Sequence, residues 1–325
     1  MTSLTRAGAC SAGDVRDVVE ALVRRGFPLR FSGSAEVALG PDTPLHEEEL
    51  RRTLRTRVIG RRIALYGSVT STQDVAREAV ARGAEAGLVV VTEEQLTGRG
   101  RLGRRWLSPA GKNLLFSTVL FPPSGLGAAL VATSAVALAE ALAEVYGLDT
   151  GIRWPNDVLV SDRKVAGILV EAMTRETGEE GFAVGVGVNV NASPEGVAGA
   201  GALAEVAGRQ LDRTLLLVLL LQALDHWYDV LLKGHVEEVE ARWRARSTIL
   251  GEQVTLERAS TGSARPVFDP DPSADGRREV AEGREGERYR GRVVDLSVTE
   301  GIILELAPGV TRLFPPEHVT LVPEP

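Results

Sequence analysis

An α+β fold built on a mixed, mostly antiparallel sheet and followed by a small β-barrel is what this 325-residue sequence predicts. Three observations carry the prediction. Between Ile63 and Leu250, strand-like runs are interrupted by helices rather than alternating with them, the order that suits α+β. Two long helical patterns fall in that stretch, Gly127 to Tyr146 and the leucine-rich Arg213 to Leu232. Beyond Gly251 only short strand-like runs remain.

At the N-terminus, Val15, Val18, Val19, Leu22 and Val23 recur at helical spacing between Ser11 and Arg25, with Gly26 as a stop signal. Phe27 to Leu39 then reads as short strands, giving a helix followed by a hairpin or wing. A link from Gly40 to Pro44 precedes a charged helix, Leu45 to Arg57, and a strand, Ile63 to Val69. Ser71 or Thr72 can N-cap a helix that runs to Gly83 as its C′ glycine. Leu88 to Thr92 and Leu114 to Phe121 are β-rich, and the helix Gly127 to Tyr146 follows. Val158 to Val160 and Val165 to Glu171 form a hairpin around Ser161-Asp162-Arg163-Lys164, and Phe182 to Val190 precedes the helix Arg213 to Leu232.

The last region holds five short strands: Val254 to Glu257, Tyr289 to Leu296, Ile302 to Leu306, Thr311 to Phe314 and Val319 to Val322. Between the first two, Ala259 to Glu287 is rich in Gly, Pro, Ser and charge and nearly free of large apolar residues, so a disordered insertion is expected. The resulting division is 1–60 for the N-terminal segment and linker, 61–250 for the main domain and 251–325 for the C-terminal domain.

Composition narrows the function. With 44% hydrophobic and 25% charged residues the chain can bury a sizeable core. The longest aliphatic run, Leu215 to Leu221, is far below the ~20 residues of a membrane helix. The Ala-rich stretch before Glu140 is interrupted by polar residues, so no membrane span is expected. No export signal is evident, which makes the cytoplasm the default. The single cysteine, Cys10, excludes an internal disulfide, and His46, His226, His235 and His318 lack metal-ligand spacing. A net charge of −7 argues against diffuse nucleic-acid binding, so a local basic cluster asks for a specific anion.

That cluster is Gly98-Arg99-Gly100-Arg101-Leu102-Gly103, with Arg104, Arg105 and Trp106 directly after it. It matches G-x-G-x-x-G in form only. A dinucleotide loop must open a helix and be followed by an acidic residue about twenty positions on, whereas here Ser108-Pro109-Ala110-Gly111 leads to a β-like run. Guanidinium groups on a glycine-permitted backbone suit a phosphate, and such a loop can fold over a ligand and exclude water. A solvated basic turn or an RNA contact is the plainer reading of four arginines taken alone.

Two further elements change the odds. Trp154-Pro155-Asn156-Asp157 sets an amide and a carboxylate in a proline-fixed turn, where a turn or capping role is the ordinary expectation. In Asp162-Arg163-Lys164-Val165-Ala166-Gly167-Ile168-Leu169-Val170-Glu171 a lysine stands at the mouth of an apolar strand, and Gly167 leaves space for a ligand. Gly185-Val186-Gly187-Val188-Asn189 repeats the device, with side-chain-free positions on one strand face and an amide at the end.

Together, S-T-Q at Ser71, then E-E-Q-x-x-G-R-G-R-x-G-R-x-W from Glu93 to Trp106, then W-P-N-D, D-R-K-V-A-G-I-L-V-E and G-V-G-V-N resemble the biotin protein ligase (biotin–[acetyl-CoA-carboxylase] ligase) family in order and spacing. The likeness spans roughly Leu65 to Arg246. It implies a class II aminoacyl-tRNA-synthetase-like catalytic domain and a small SH3-like β-barrel at the C-terminus. It also implies that Ser71, Thr72 and Gln95 bind the ureido ring of biotin, with Gly98, Arg99, Arg101, Lys164 and Gly167 completing the biotin site. Gln73 stands where the family often has asparagine and is assigned no contact. Arg101, Arg104, Trp106, Asn156, Asp157, Lys164 and Asn189 are implied on the ATP and adenylate side, Trp106 packing on adenine. Lys164, Arg101, Asp157 and Arg99 are the implied catalytic groups, with ATP, biotin and Mg²⁺ as substrates and cofactor; no metal ligand is assigned.

The implied reaction joins biotin to AMP and then transfers biotin to a lysine of a biotin carboxyl carrier protein domain of a biotin-dependent carboxylase. Lipoate ligase or octanoyltransferase is the nearest alternative, disfavoured by the Ser71, Thr72 and Gln95 set. A DNA-binding repressor is the alternative from another class. Ser11 to Leu39 resembles only the last helix and wing of a winged helix-turn-helix, a vestige or the sign of a misassigned start, so no specific DNA binding is expected. A homodimer is left open.

Overall fold

The structure is a computed structural model that describes residues 44–259 and 284–322. The expected N-terminal helix and wing, and residues 260–283 of the expected insertion, lie outside the described residues.

A helix between two strands forces a crossover, and the sheet begins with one. After helix α1 (Glu47–Thr53), strand β1 (Arg62–Val69) leads through α2 (Thr72–Ala81) to β2 (Leu88–Gln95). The two strands are parallel, with Arg62 opposite Leu88 and Val69 opposite Gln95. Strands β3 (Leu114–Leu120), β4 (Thr150–Arg153), β5 (Asp157–Val160), β6 (Arg163–Thr174) and β7 (Glu180–Val188) add only antiparallel pairs. The order is β1-β2-β3-β7-β6-β5-β4, a mixed and mostly antiparallel sheet as expected. In β2 the period of two is legible in the packing: Val89 and Val91 join the main core, while Val90 joins a smaller one beside Ala76 and Val80 of α2.

The main core lies against α3 (Leu130–Tyr146) and α5 (Arg213–Leu232), with α4 (Leu203–Ala207) before α5 and α6 (Val236–Ala245) after it. Contrary to the expectation from sequence, Gly127–Tyr146 and Arg213–Leu232 are each long and apolar enough to cross a membrane. Their apolar stretches are 78% and 72% buried inside the protein, so this character is used in the core. Five strands, β8 (Gln253–Arg258), β9 (Arg288–Ser297), β10 (Gly301–Ala307), β11 (Val310–Phe314) and β12 (Val319–Leu321), form a separate antiparallel sheet in the order β11-β10-β9-β8-β12.

Three elements depart from expectation for identifiable reasons. Helix α1 stops at Thr53 instead of Arg57 because the Asp225 carboxylate accepts the N–H groups of Arg57, Val58 and Ile59 at 2.7, 2.8 and 2.8 Å, holding that segment out of the helix. The β5–β6 hairpin turns in only two residues, Ser161 and Asp162, both left-handed at φ 48° and 62°. Strand β6 therefore starts at Arg163 rather than Val165. The first turn of the expected helix at Gly127 is 3₁₀ over Gly127–Ala129, and a Cβ on Gly127 would lie 2.1 Å from Phe182 Cζ.

Candidate functional site

Parallel pairing of β1 with β2 aligns the two strand ends, and this brings the start of α2 beside Gln95. Thr72 donates to Gln95 Oε1 through its backbone N at 2.9 Å and through Oγ1 at 3.2 Å. Ser117 on β3, fully buried, donates from Oγ to Thr72 Oγ1 at 2.7 Å. Ser71 caps α2, its Oγ accepting from Gln73 N at 3.3 Å. Gln73 is itself held by Leu169 O and Ala183 O, at 3.0 and 3.3 Å from Nε2.

The Gly-Arg segment closes on itself. Trp106 N donates to Gly98 O at 2.9 Å, Gly100 N to Arg104 O at 2.7 Å, and Arg99 bridges Arg105. At its tip Arg101–Gly103 make one 3₁₀ turn, with Leu102 left-handed at φ 55° and Gly103 at φ 72°. The segment runs on to β3 without opening a helix, which excludes the dinucleotide-loop reading.

The four arginines are not equivalent. Arg99, expected to act on the ligand's charge, is engaged by Asp74 at 2.6 Å and Glu171 at 3.2 Å. Burial lowers its pKa, but these carboxylates outweigh that and hold it above the ordinary value. Arg101 instead donates to Asn156 Oδ1 at 3.3 Å and to Pro316 O, neither of them charged. Burial pushes its pKa down to about 10, only partly offset by Asp157 and Glu317, so it stays cationic at neutral pH with its charge incompletely compensated. Arg104 Nη2 donates to Thr320 Oγ1 at 3.1 Å, while Arg105 turns back to Leu96 O at 3.4 Å.

Opposite the loop, Lys164 Nζ lies 2.7 Å from Asp157 Oδ1 and 5.5 Å from the centroid of Trp106. Gly167 and Gly187 are partners across β6 and β7. A Cβ on Gly167 would lie 2.8 Å from Trp106 Cζ3, and one on Gly187 2.4 Å from Trp106 Cε2. What these glycines accommodate here is therefore the indole of Trp106. Asn156 anchors to Ile168 O at 2.8 Å and Asn189 to Gly201 O at 3.0 Å, both through Nδ2. Asn189 Oδ1 and Trp106 Nε1 are buried without hydrogen-bond partners among the described residues, polar capacity open to a ligand.

Most of these side chains line one cavity of about 820 Å³; Asp74, Ser117 and Glu171 stand behind its wall. All the expected site residues are on its wall except Gly98, which is tucked beneath the loop: a Cβ there would meet Trp106 O at 2.6 Å. Two parts of the wall were not anticipated. Pro194 and Val197–Ala200 line it, hydrogen-bonded to Lys164 through Gly199 O at 2.8 Å and Gly201 N at 2.9 Å. The small-residue run after Asn189 was the available signal. The C-terminal sheet adds Gln253, Val254, Thr320 and Leu321, with Val322 directly after it, none of which the sequence marks. Among the described residues no group of three or more His, Cys, Asp or Glu is arranged to hold a metal by itself.

Residues 66–191 match the Biotin/lipoate A/B protein ligase family. The biotin–[acetyl-CoA-carboxylase] ligase of Paracoccus denitrificans is 36% identical over 192 residues, which cover 55% of this chain and 78% of that protein. The bifunctional ligase/repressor BirA of Bacillus subtilis is 29% identical over 261 residues, 77% of this chain and 78% of that protein. A solved structure of the biotin protein ligase from Aquifex aeolicus, in complex with biotin and ATP, matches with a TM-score of 0.62 at 26% identity, covering 81% of this chain and 100% of that one. Pattern, relatives and fold agree, and the chain belongs to the biotin protein ligases of the biotin/lipoate A/B protein ligase family.

Proposed function

We propose that this protein is a biotin protein ligase, which activates biotin with ATP to biotinyl-5′-AMP and transfers biotin to a lysine of a biotin carboxyl carrier protein domain. The observation that carries the reading is the pairing of two unlike sets of groups on one cavity wall. Thr72, Gln95 and Ser71 are uncharged donors and acceptors suited to a ureido ring, while Arg101 and Lys164 are cations suited to a carboxylate and a phosphate. A lipoyl ring has neither N–H nor C=O. Buried against it, Thr72 and Gln95 would gain no ligand bonds, at a cost of about 1–3 kcal/mol for each group left unpaired.

In the first step a carboxylate oxygen of biotin attacks the α-phosphorus of ATP, an O–P bond forms, and the bond to the β-phosphate breaks to release pyrophosphate. Two anions meet, and Lys164 and Arg101 stabilise the charge that builds up. Arg99, already neutralised by Asp74 and Glu171, serves as an anchor of the loop, with Arg104 beside the nucleotide. Trp106 and Asn189 bound the adenine side. Magnesium travels with the triphosphate, and because such ions take most of their ligands from phosphates and water, a single carboxylate such as Asp157, beside Asn156, is a sufficient protein donor; the ion would screen phosphate charge there. In the second step a neutral lysine amine attacks the acyl carbon, and the C–O bond to AMP breaks. Asp157 is our candidate to orient that amine and accept its proton, since Lys164 can exchange Asp157 for the adenylate phosphate.

By the same resemblance we take the seven-stranded sheet as class II aminoacyl-tRNA-synthetase-like and the five C-terminal strands as an SH3-like barrel, acting in the cytoplasm. Purified protein incubated with biotin and MgATP, then analysed by mass spectrometry, should retain biotinyl-AMP. Retention of lipoyl-AMP alone, with lipoate as the control substrate, would overturn the assignment.

A further inference from the structure

Hydrogen-bond direction at the uncharged part of the cavity is fixed by atoms whose roles cannot be exchanged. The backbone N of Thr72 can only donate, so the Gln95 atom 2.9 Å from it must be the carbonyl oxygen. That oxygen also receives the Thr72 hydroxyl at 3.2 Å, leaving Gln95 with only its Nε2 hydrogens to offer a ligand. The Thr72 hydroxyl has thus used its hydrogen. Ser117 occupies one of its two lone pairs at 2.7 Å, so a single acceptor position remains. The wall presents a donor on Gln95 next to an acceptor on Thr72, the complement of a carbonyl flanked by an N–H.

We infer that Ser117 is a positioning residue that sets this polarity by holding the Thr72 hydroxyl turned toward Gln95, so that the site selects a ligand with an N–H beside its carbonyl. Ser117 is fully buried and outside the cavity wall, so it acts through Thr72 and not by contact. Its backbone faces Gly185 across β3 and β7, where the absence of a side chain leaves room for Gln73, whose Cδ a Cβ would meet at 3.1 Å. This inference rests on the biotin reading and refines it. Without the Ser117 hydroxyl, the Thr72 hydroxyl is free to rotate and can donate to a ligand as well as accept from it.

The test compares Ser117→Ala and Ser117→Cys with the wild-type protein in adenylate formation. The substrates are biotin and the two cyclic carbamates in which one or the other ureido N–H is replaced by oxygen. Wild type should prefer biotin over at least one carbamate by about a hundred-fold, because that analogue sets acceptor against acceptor. Ser117→Ala should raise KM for biotin roughly ten-fold, the worth of one buried hydrogen bond, and cut the preference over that carbamate to roughly ten-fold or less. Ser117→Cys, with a weak donor in the same place, should fall between, and it decides the matter if the alanine variant does not fold. Equal losses on biotin and both carbamates would mean that Ser117 only packs, and unchanged values would mean that it does nothing; either overturns the inference while the ligase reading stands. Failure of the wild type to adenylate biotin at all would overturn both.

Discussion

Replacing Arg101 with methionine should leave the stability of the unliganded protein nearly unchanged and make its grip on the adenylate much weaker. Burial pushes the Arg101 pKa well below the ordinary arginine value, to about 10, a shift that corresponds to roughly 3 kcal/mol by which the folded protein disfavours that charge. Against this stand the hydrogen bonds to Asn156 Oδ1 and Pro316 O, donated by a cation and worth about 1.5 kcal/mol or more each. Methionine keeps an unbranched apolar stem where the arginine stem packs, so little contact is lost. These contributions nearly cancel, so Tm should move by no more than about 1–2 °C. The bound adenylate loses a charge-assisted bond to its phosphate, so preformed biotinyl-AMP should dissociate at least about ten-fold faster. Thermal unfolding without ligand and a chase of radiolabelled biotinyl-AMP with unlabelled ligand measure the two effects. A variant that melts several degrees lower and releases the adenylate at the wild-type rate would refute the reasoning, because Arg101 would then be a strut between the loop and the turn that joins β11 to β12.

Lys164→Ala should act on chemistry instead, lowering single-turnover adenylate formation by about 10²-fold or more, since the group beside the reacting oxygens is gone; a variant that forms adenylate at near the wild-type rate would dismiss Lys164 from that step. Gly187→Ala places a methyl 2.4–2.7 Å from three atoms of the Trp106 indole and should displace it, at a cost of about 1–3 kcal/mol. Trp106 fluorescence should change and nucleotide affinity fall several-fold, whereas an unaltered spectrum with wild-type affinity would remove Trp106 from the site. Joining Ala259 to Arg284 through a short glycine linker should leave adenylate synthesis intact, because Arg258 N already meets Glu287 O at 2.9 Å and Gly286 N meets Arg258 O at 3.0 Å. Loss of synthesis in a folded deletion variant would show that residues 260–283 serve the site.

Local patterns were legible wherever local forces decide the structure. Helix α5 runs from Arg213 to Leu232 as read from sequence, because its cap is also local: Asp212 accepts from Leu215 N at 3.0 Å. Helix α1 was overrun by four residues because what ends it is Asp225, more than a hundred and sixty positions away. The hairpin around Ser161-Asp162-Arg163-Lys164 is legible, but its turn is two residues shorter than the sequence suggests, because Ser161 and Asp162 are both left-handed without a glycine to signal it. The 3₁₀ turn before α3 gives no hint in sequence that Phe182 will press on Gly127.

The site divides along the same line. Residue types in a recognisable order were enough to place Ser71, Thr72, Gln95, Arg101, Trp106, Asp157, Lys164 and Asn189 on one wall, since each motif sits at a strand end or turn that the sheet brings together. The charge state of that wall was not legible. Four arginines within seven positions look alike in sequence, yet Asp74 and Glu171 neutralise Arg99, exposed Arg104 bonds the neutral Thr320, and Arg101 is left with neutral hydrogen-bond partners where burial disfavours its charge. One of those partners is a backbone carbonyl, Pro316 O, which any residue could supply and which therefore leaves no trace in a motif. It follows that a partly buried cation, Arg101, fastens the loop to Pro316 between β11 and β12, while Arg104 fastens it to Thr320 of β12. For Arg101 to turn toward a phosphate it must exchange that neutral carbonyl for an anionic oxygen, and because a bond between opposite charges adds an attraction that a neutral acceptor lacks, the exchange runs downhill only when the anion is present.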